Sequence, residues 1–271
     1  MRVEHVTLRS GSIHCAADLY LPEAGAPAPG IAMGHSVTMV KEALRPHAEH
    51  LARAGYVVLA LDYRTIGSSE GEPRGQWFPE RQVEDIRAAV SYLRRCPEVE
   101  PERIGLWGHS TAAGVAIVAG ALDRRIKSVV GQNPSMLDGW AALTTSLGRT
   151  KLRGIRALLE RDVEIRYETG SGASIPALAT DDPKLAGYIA QAERLFPTFV
   201  LTAHARALEP KRLELLPFDE FSLSIEPGLG QAMDLAVDFF DQHLHRAPLV
   251  VPSPPPAEAW SRGLRPEYRP R

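Results

Sequence analysis

Arg103-Ile104-Gly105-Leu106-Trp107-Gly108-His109-Ser110-Thr111-Ala112-Ala113-Gly114 reads as a strand, a sharp turn and a helix. An apolar run leads into Gly108-His109-Ser110-Thr111-Ala112, and a train of small residues follows. This is a G-x-S-x-A variant of the G-x-S-x-G elbow. The turn is so tight that side chains two before and two after the serine would collide, so those positions need Gly or Ala. Such an elbow sets the serine at the C-terminal edge of a sheet and at the start of a helix, whose dipole favours negative charge.

Working outward, the same rhythm repeats. On the N-terminal side, Val3–Arg9 and Ser12–Tyr20 alternate polar and apolar residues about Ser10-Gly11, the pattern of an antiparallel hairpin. Ile31-Ala32-Met33 and Tyr56–Leu61 read as buried strands. Ala43–Ala54 and Pro79–Leu93 read as helices. Beyond the elbow, Thr111–Leu122 is a helix of small residues and Ile126–Gly131 a strand. Strands alternating with helices at this spacing predict an α/β fold with a mainly parallel, doubly wound sheet covered on both faces.

The chain divides at 134, 196 and 246. Residues 1–134 form the first part of the core. Residues 135–196 are mostly helical in pattern, amphipathic over Arg153–Arg161 and broken at Gly170-Ser171-Gly172, and read as a helical cap inserted over the sheet's ligand edge. Residues 197–246 complete the core, with strands expected at Pro197–Ala203 and Leu213–Leu216 and a helix over Gly230–Leu244. Residues 247–271 are a tail rich in Pro and Arg, expected to be extended or disordered.

Composition narrows the function. The 271 residues are 44% hydrophobic and 24% charged, suited to one large globular domain. Lys and Arg number 31 against 33 Asp and Glu, a net charge of -2 that gives no reason to expect nucleic acid or an anionic membrane as partner. Nothing is long and apolar enough to span a bilayer, and Met1–His5 is not patterned as a signal peptide, so a cytoplasmic protein is expected. Cys15 and Cys96 form no C-x-x-C pair and read as reduced structural thiols. No spacing implies a metal site, a P-loop or a dinucleotide cofactor.

Several blocks carry a family resemblance. Asp62-Tyr63-Arg64 with Gly67-Ser68-Ser69-Glu70-Gly71-Glu72-Pro73-Arg74, then Gln82-x-x-Asp85, then the elbow, resemble α/β hydrolases of the dienelactone-hydrolase and polyketide-transferase type. His35-Ser36-Val37-Thr38-Met39-Val40-Lys41-Glu42 is similar to that group's oxyanion loop. The likeness covers residues 1–135 and 197–245. It implies the α/β-hydrolase fold, with Ser110 at the nucleophile position and the N–H groups of Val37 and Thr111 as oxyanion donors. His35, Thr38, Val40 and His109 fall around them. His35 would brace the loop and His109 would pack inside the elbow. Trp77, Phe78, Trp140 and Phe221 fall where loops and cap would line a substrate cavity.

The catalytic pattern breaks after the cap. Hydrolases of this fold order their triad as serine, acid, histidine. Here His204-Ala205-Arg206-Ala207 follows the penultimate strand, with no Asp, and Glu220, or Asp219, stands where relatives read a histidine. A serine hydroxyl needs a base within hydrogen-bond reach to become a nucleophile. His204 is the remaining histidine placed to serve. His47 and His50 read as residues of a surface helix, and His243 and His245 as the exposed end of the last helix.

Three readings follow. The missing acid and histidine resemble the α/β-hydrolase-fold peptide epimerases of the bottromycin pathway, of which this chain would be a relative or variant carrying Ser110. That resemblance implies a thiazoline-containing macrocyclic peptide as ligand, epimerised at an aspartate Cα with the peptide's own carboxylate as base, while Glu220 reads either as a solvated loop carboxylate or as an acid/base facing the pocket. The second reading is a serine esterase or thioesterase with a rebuilt triad. The third is a protein that binds a natural product, a small molecule or modified peptide, without turnover. None needs a cofactor, and the sequence leaves the oligomeric state open.

Overall fold

The computed structural model describes residues 1–23, 27–134, 139–172, 209–217 and 222–245. Strand β1 (Arg2–Ser10) and β2 (Ile13–Leu21) form the expected hairpin, in register from Arg2 opposite Leu21 to Ser10 opposite Ile13. β2 pairs antiparallel with β4 (Val57–Leu61). From there every pairing is parallel: β4 with β3 (Ala28–Gly34), β3 with β5 (Val99–His109), and β5 with β6 (Ile126–Gln132). The sheet order is β1-β2-β4-β3-β5-β6, so the elbow at the end of β5 lies among parallel strands whose C-terminal ends share one edge.

Among the described residues, five α-helices accompany the sheet. They are α1 (Arg45–Arg53), entered through a 3-10 turn at Lys41–Leu44, then α2 (Pro79–Leu93), α3 (Thr111–Leu122), α4 (Gly139–Thr169) and α5 (Gly228–Phe240). The period-two alternation of the strands sorts their side chains to two cores. Leu59, Leu61 and Leu106 face Ile86, Val90 and Leu93 of α2 and Val115 and Ala116 of α3. Val58, Ile31, Met33 and Trp107 face Ala48 and Leu51 of α1 and Met233 and Phe240 of α5. The sheet is therefore covered on both sides, the doubly wound α/β arrangement the alternation predicted.

Within the stretch read as a cap, the described residues form α4, one helix of 31 residues that ends at Thr169, with Gly170 at a φ of +75° where the sequence reading placed a break. The rest of the expected cap, 173–196, and the expected strand Pro197–Ala203 lie outside the described residues, as does the tail after 245. Leu213–Leu216 corrects the reading. Among the described residues it joins no sheet ladder, and Leu215 is 77% exposed. Its alternating side chains have the strand pattern but no described partner to pair with. His47 is a second correction. It lies on the inner side of α1, buried, with its ring centroid 4.9 Å from that of Trp107. Among the described residues no helix is long and apolar enough to cross a membrane, and no cluster of His, Cys, Asp and Glu could hold a metal ion.

Candidate active site

The elbow forms as the spacing requires. Ser110 has φ +53° and ψ −115°, a strained conformation for a residue with a side chain. Its N–H donates to the Gln132 carbonyl of β6 at 2.9 Å, which ties the turn to the neighbouring strand. A Cβ at Gly108 would stand 2.4 Å from the Ala112 carbonyl oxygen, a backbone atom that cannot yield. Ser110 and Thr111 are buried, at the start of α3.

The loop after β3 faces them. The His35 ring is buried, its Nδ1–H donating to the Ser36 carbonyl at 2.9 Å and its Nε2 receiving the Tyr63 N–H at 3.4 Å. Both nitrogens are thus engaged by backbone, and burial lowers the pKa of the ring against the pull of the Ser36 carbonyl and Asp62. His35 thus ties the Ser36 carbonyl of this loop to the Tyr63 N–H after β4. Thr38 has a φ of +68°, and Met39 N–H closes a turn onto the Ser36 carbonyl at 3.2 Å. Val37, Thr38 and Val40 are exposed at the rim. The expected donor role of Val37 meets an obstacle. Its N–H donates to Thr111 Oγ1 at 2.9 Å, with Ser36 Oγ 3.4 Å from the same oxygen.

Behind the loop stands a carboxylate to which sequence reading gave no role. Asp62 is fully buried, its Oδ1 receiving the Lys41 N–H at 2.7 Å and its Oδ2 the Ser68 N–H at 2.9 Å. Gly67, at φ +54°, makes room for it, since a Cβ there would meet Oδ2 at 2.2 Å. The Lys41 ammonium pairs with Glu42 and lies 3.7 Å from Asp62. Asp85, also fully buried, receives Ser10 Oγ at 2.6 Å, the Arg64 N–H at 3.0 Å and the Arg64 guanidinium at 2.6 Å. Both carboxylates belong to blocks that carried the resemblance, and their work is to hold loops.

The remaining predicted residues divide. Trp77 stands edge-on to Tyr63 and His35, with ring centroids at 5.3 and 6.0 Å, and Phe78 precedes the first turn of α2. A cleft of about 430 Å³ opens at β6, lined by Gln132, Asn133, Leu213, Leu223 and Phe239, and neither Trp77 nor Phe78 borders it. Trp140 falls in the first turn of α4. His204, Glu220 and Phe221 lie outside the described residues. The His109 ring is buried close enough to raise the cost of charging His47, and burial lowers both pKa values to about 4. His5 meets Asp18, His14 meets Glu70 and His50 meets Asp234. His243 stacks on Phe239, and His245 lies against Tyr56.

Comparison with known proteins agrees with the fold. Residues 11–161 match the family described as X-Pro dipeptidyl-peptidase (S15 family). The chain is 44% identical over 117 residues to the thiohydrolase aneE of Aspergillus aculeatus, covering 43% of this chain and 36% of that protein. It is 38% identical over 117 residues to the polyketide transferase ATR5 of Stachybotrys chlorohalonatus, covering 43% and 39%. The chain spans between about a third and a half of the length of the curated relatives it matches. Among solved structures, the PA2218 protein of Pseudomonas aeruginosa aligns with a TM-score of 0.74 at 26% identity, over 90% of this chain and 94% of that one. The α/β hydrolase GrgF from Penicillium aligns at 0.70 with 20% identity, over 91% and 100%, a likeness of fold.

Proposed function

The chain belongs to the X-Pro dipeptidyl-peptidase (S15) family, and we propose that it binds a modified peptide and moves a proton at carbon instead of hydrolysing a bond. The ligand is a macrocyclic peptide bearing an aspartate next to a thiazoline, as in the bottromycin pathway. The thiazoline C=N acidifies the aspartate Cα–H. The proton passes to a carboxylate, the peptide's own or Glu220, while the electron pair moves onto the ring nitrogen. Reprotonation from the opposite face then inverts the centre. The protein's part is to orient the peptide and to offer the Thr111 N–H, at the positive end of α3, to the charge that develops.

What carries this reading is the placement of the histidines. Of the nine in the chain, His204 lies outside the described residues, and His5, His14, His35, His47, His50, His243 and His245 are all set in other contacts. His109 is held beside His47 in neutral form. The position after the last expected strand, where relatives read a histidine, holds Glu220. What supports the reading is that the sequence has Glu220, and not a histidine, at the position a triad of the usual order would use. The test is incubation of a thiazoline-containing macrocyclic peptide in heavy water. One deuterium at the aspartate Cα with inversion is the expected result. Full retention of protium over prolonged incubation would refute the proposal.

A second reading rests on a different observation. Ser110 keeps the strained φ of +53° that an acyl-transfer nucleophile adopts, and the relatives include a thiohydrolase. It requires stoichiometric labelling of Ser110 by a fluorophosphonate, and the absence of an adduct counts against it.

A further inference from the structure

Thr111 contributes to the site twice, with opposite effects. Its backbone N–H opens α3 and donates to no described group. Its side-chain oxygen accepts from the Val37 N–H at 2.9 Å, the group the family resemblance makes the second donor of the hole. Donors that stabilise an oxyanion stand 2.7–3.1 Å from the position the oxygen will occupy. The Val37 donor already has an oxygen at that distance, and it is the protein's own.

The contact is built into the loop. His35 holds the Ser36 carbonyl from one side, the Met39 N–H closes on the same carbonyl, and Asp62 fixes the Lys41 N–H further along. Ser36 Oγ lies 3.4 Å from Thr111 Oγ1, so the threonine oxygen faces two polar groups of the loop. Thr111 is itself buried, which shields the contact from competing water.

We propose that the Thr111 hydroxyl is an internal occupant of the oxyanion hole, and that this side chain determines specificity by withholding the Val37 N–H from acyl and phosphoryl oxygens. Loss of one oxyanion donor lowers turnover by about 10²- to 10³-fold. Removing the hydroxyl returns that donor and raises the reactivity of Ser110 by about 10²-fold. The biological sense of this inference rests on the non-hydrolytic reading. Its test involves no peptide and no exchange at carbon, so either can fail while the other stands.

The experiment compares the full chain with Thr111→Val, Thr111→Ala and Thr111→Ser. The first readout is the second-order rate of reaction with a fluorophosphonate. In that reaction Ser110 Oγ bonds to phosphorus, fluoride leaves and the hydroxyl proton passes to solvent. The second readout is hydrogen exchange of the Val37 amide. Expected are about 10²-fold faster phosphonylation and a deprotected Val37 amide in Thr111→Val, with Thr111→Ser close to the parent in both. Thr111→Ala serves if the valine variant does not fold. An unchanged Val37 exchange rate overturns the proposal. So does phosphonylation that stays equal, or undetectable, in every variant despite faster exchange.

Discussion

Lowering the pH from 7 to 5 should destabilise this protein through two histidines far more than through its carboxylates. His47 and His109 are buried, and desolvation lowers each pKa from 6.5 to about 4, with the neighbouring His109 also lowering that of His47. The unfolded chain binds protons at these residues from about pH 6.5 downward, while the folded chain waits until about pH 4. Between those values the unfolded state holds more protons, so stability falls as pH falls. The full difference is about 3 kcal/mol per histidine, of which about 2 kcal/mol is lost by pH 5. Together the pair removes about 4 kcal/mol, a large fraction of the roughly 5–15 kcal/mol that holds a typical domain folded. His35, lowered by burial, adds in the same direction. The carboxylates act elsewhere. Asp123 beside Arg125, Glu42 beside Lys41 and Glu49 beside Arg45 have lowered pKa values, so their stabilisation is present above the ordinary carboxylate range and lost only below it.

The assay is urea unfolding followed by circular dichroism at pH 7 and pH 5, on the full chain and on His47→Leu. Both ring nitrogens of His47 are buried without a partner among the described residues. Leucine should therefore leave stability at pH 7 unchanged or raised, and should cut the loss at pH 5 to about 2 kcal/mol. An equal midpoint at the two pH values, or an unaltered loss in His47→Leu, would refute the reasoning.

Further outcomes follow from the same contacts. Gly108→Ala places a Cβ 2.4 Å from the Ala112 carbonyl oxygen. It should cost about 3 kcal/mol or prevent folding, since the clash is with backbone; a melting temperature within a degree or two of the parent would be inconsistent with the elbow described. Asp85→Asn leaves the Arg64 guanidinium short of its main partner, with Glu84 at 3.0 Å as partial relief. A loss of about 3 kcal/mol in the denaturation midpoint is expected, and an unshifted midpoint would remove Asp85 from the account of the fold.

The parts of the molecule that were legible in the sequence are those whose signals are local. The helices Pro79–Leu93 and Thr111–Leu122 begin and end where they were read, because a proline opens one and the elbow opens the other. The parallel order followed from alternation, and the small residues around Ser110 from the sterics of one turn. His47 was misread because the ring it packs on, Trp107, comes from far along the chain. Leu213–Leu216 has the alternation of a strand, but a strand is made by its neighbour. The capture of the Val37 N–H by Thr111 joins residues 74 apart and leaves no trace in either segment alone.

The Asp62 carboxylate has a consequence for how such a protein can change. One oxygen holds the Lys41 N–H in the loop after β3, and the other holds the Ser68 N–H in the loop after β4. The two loops are therefore not independent modules. An insertion or swap in one alone would strand a buried negative charge facing the other. Recombination that exchanges both, together with Gly67, would carry the shared anchor along. Loop engineering here should treat residues 35–42 and 62–74 as a single cassette.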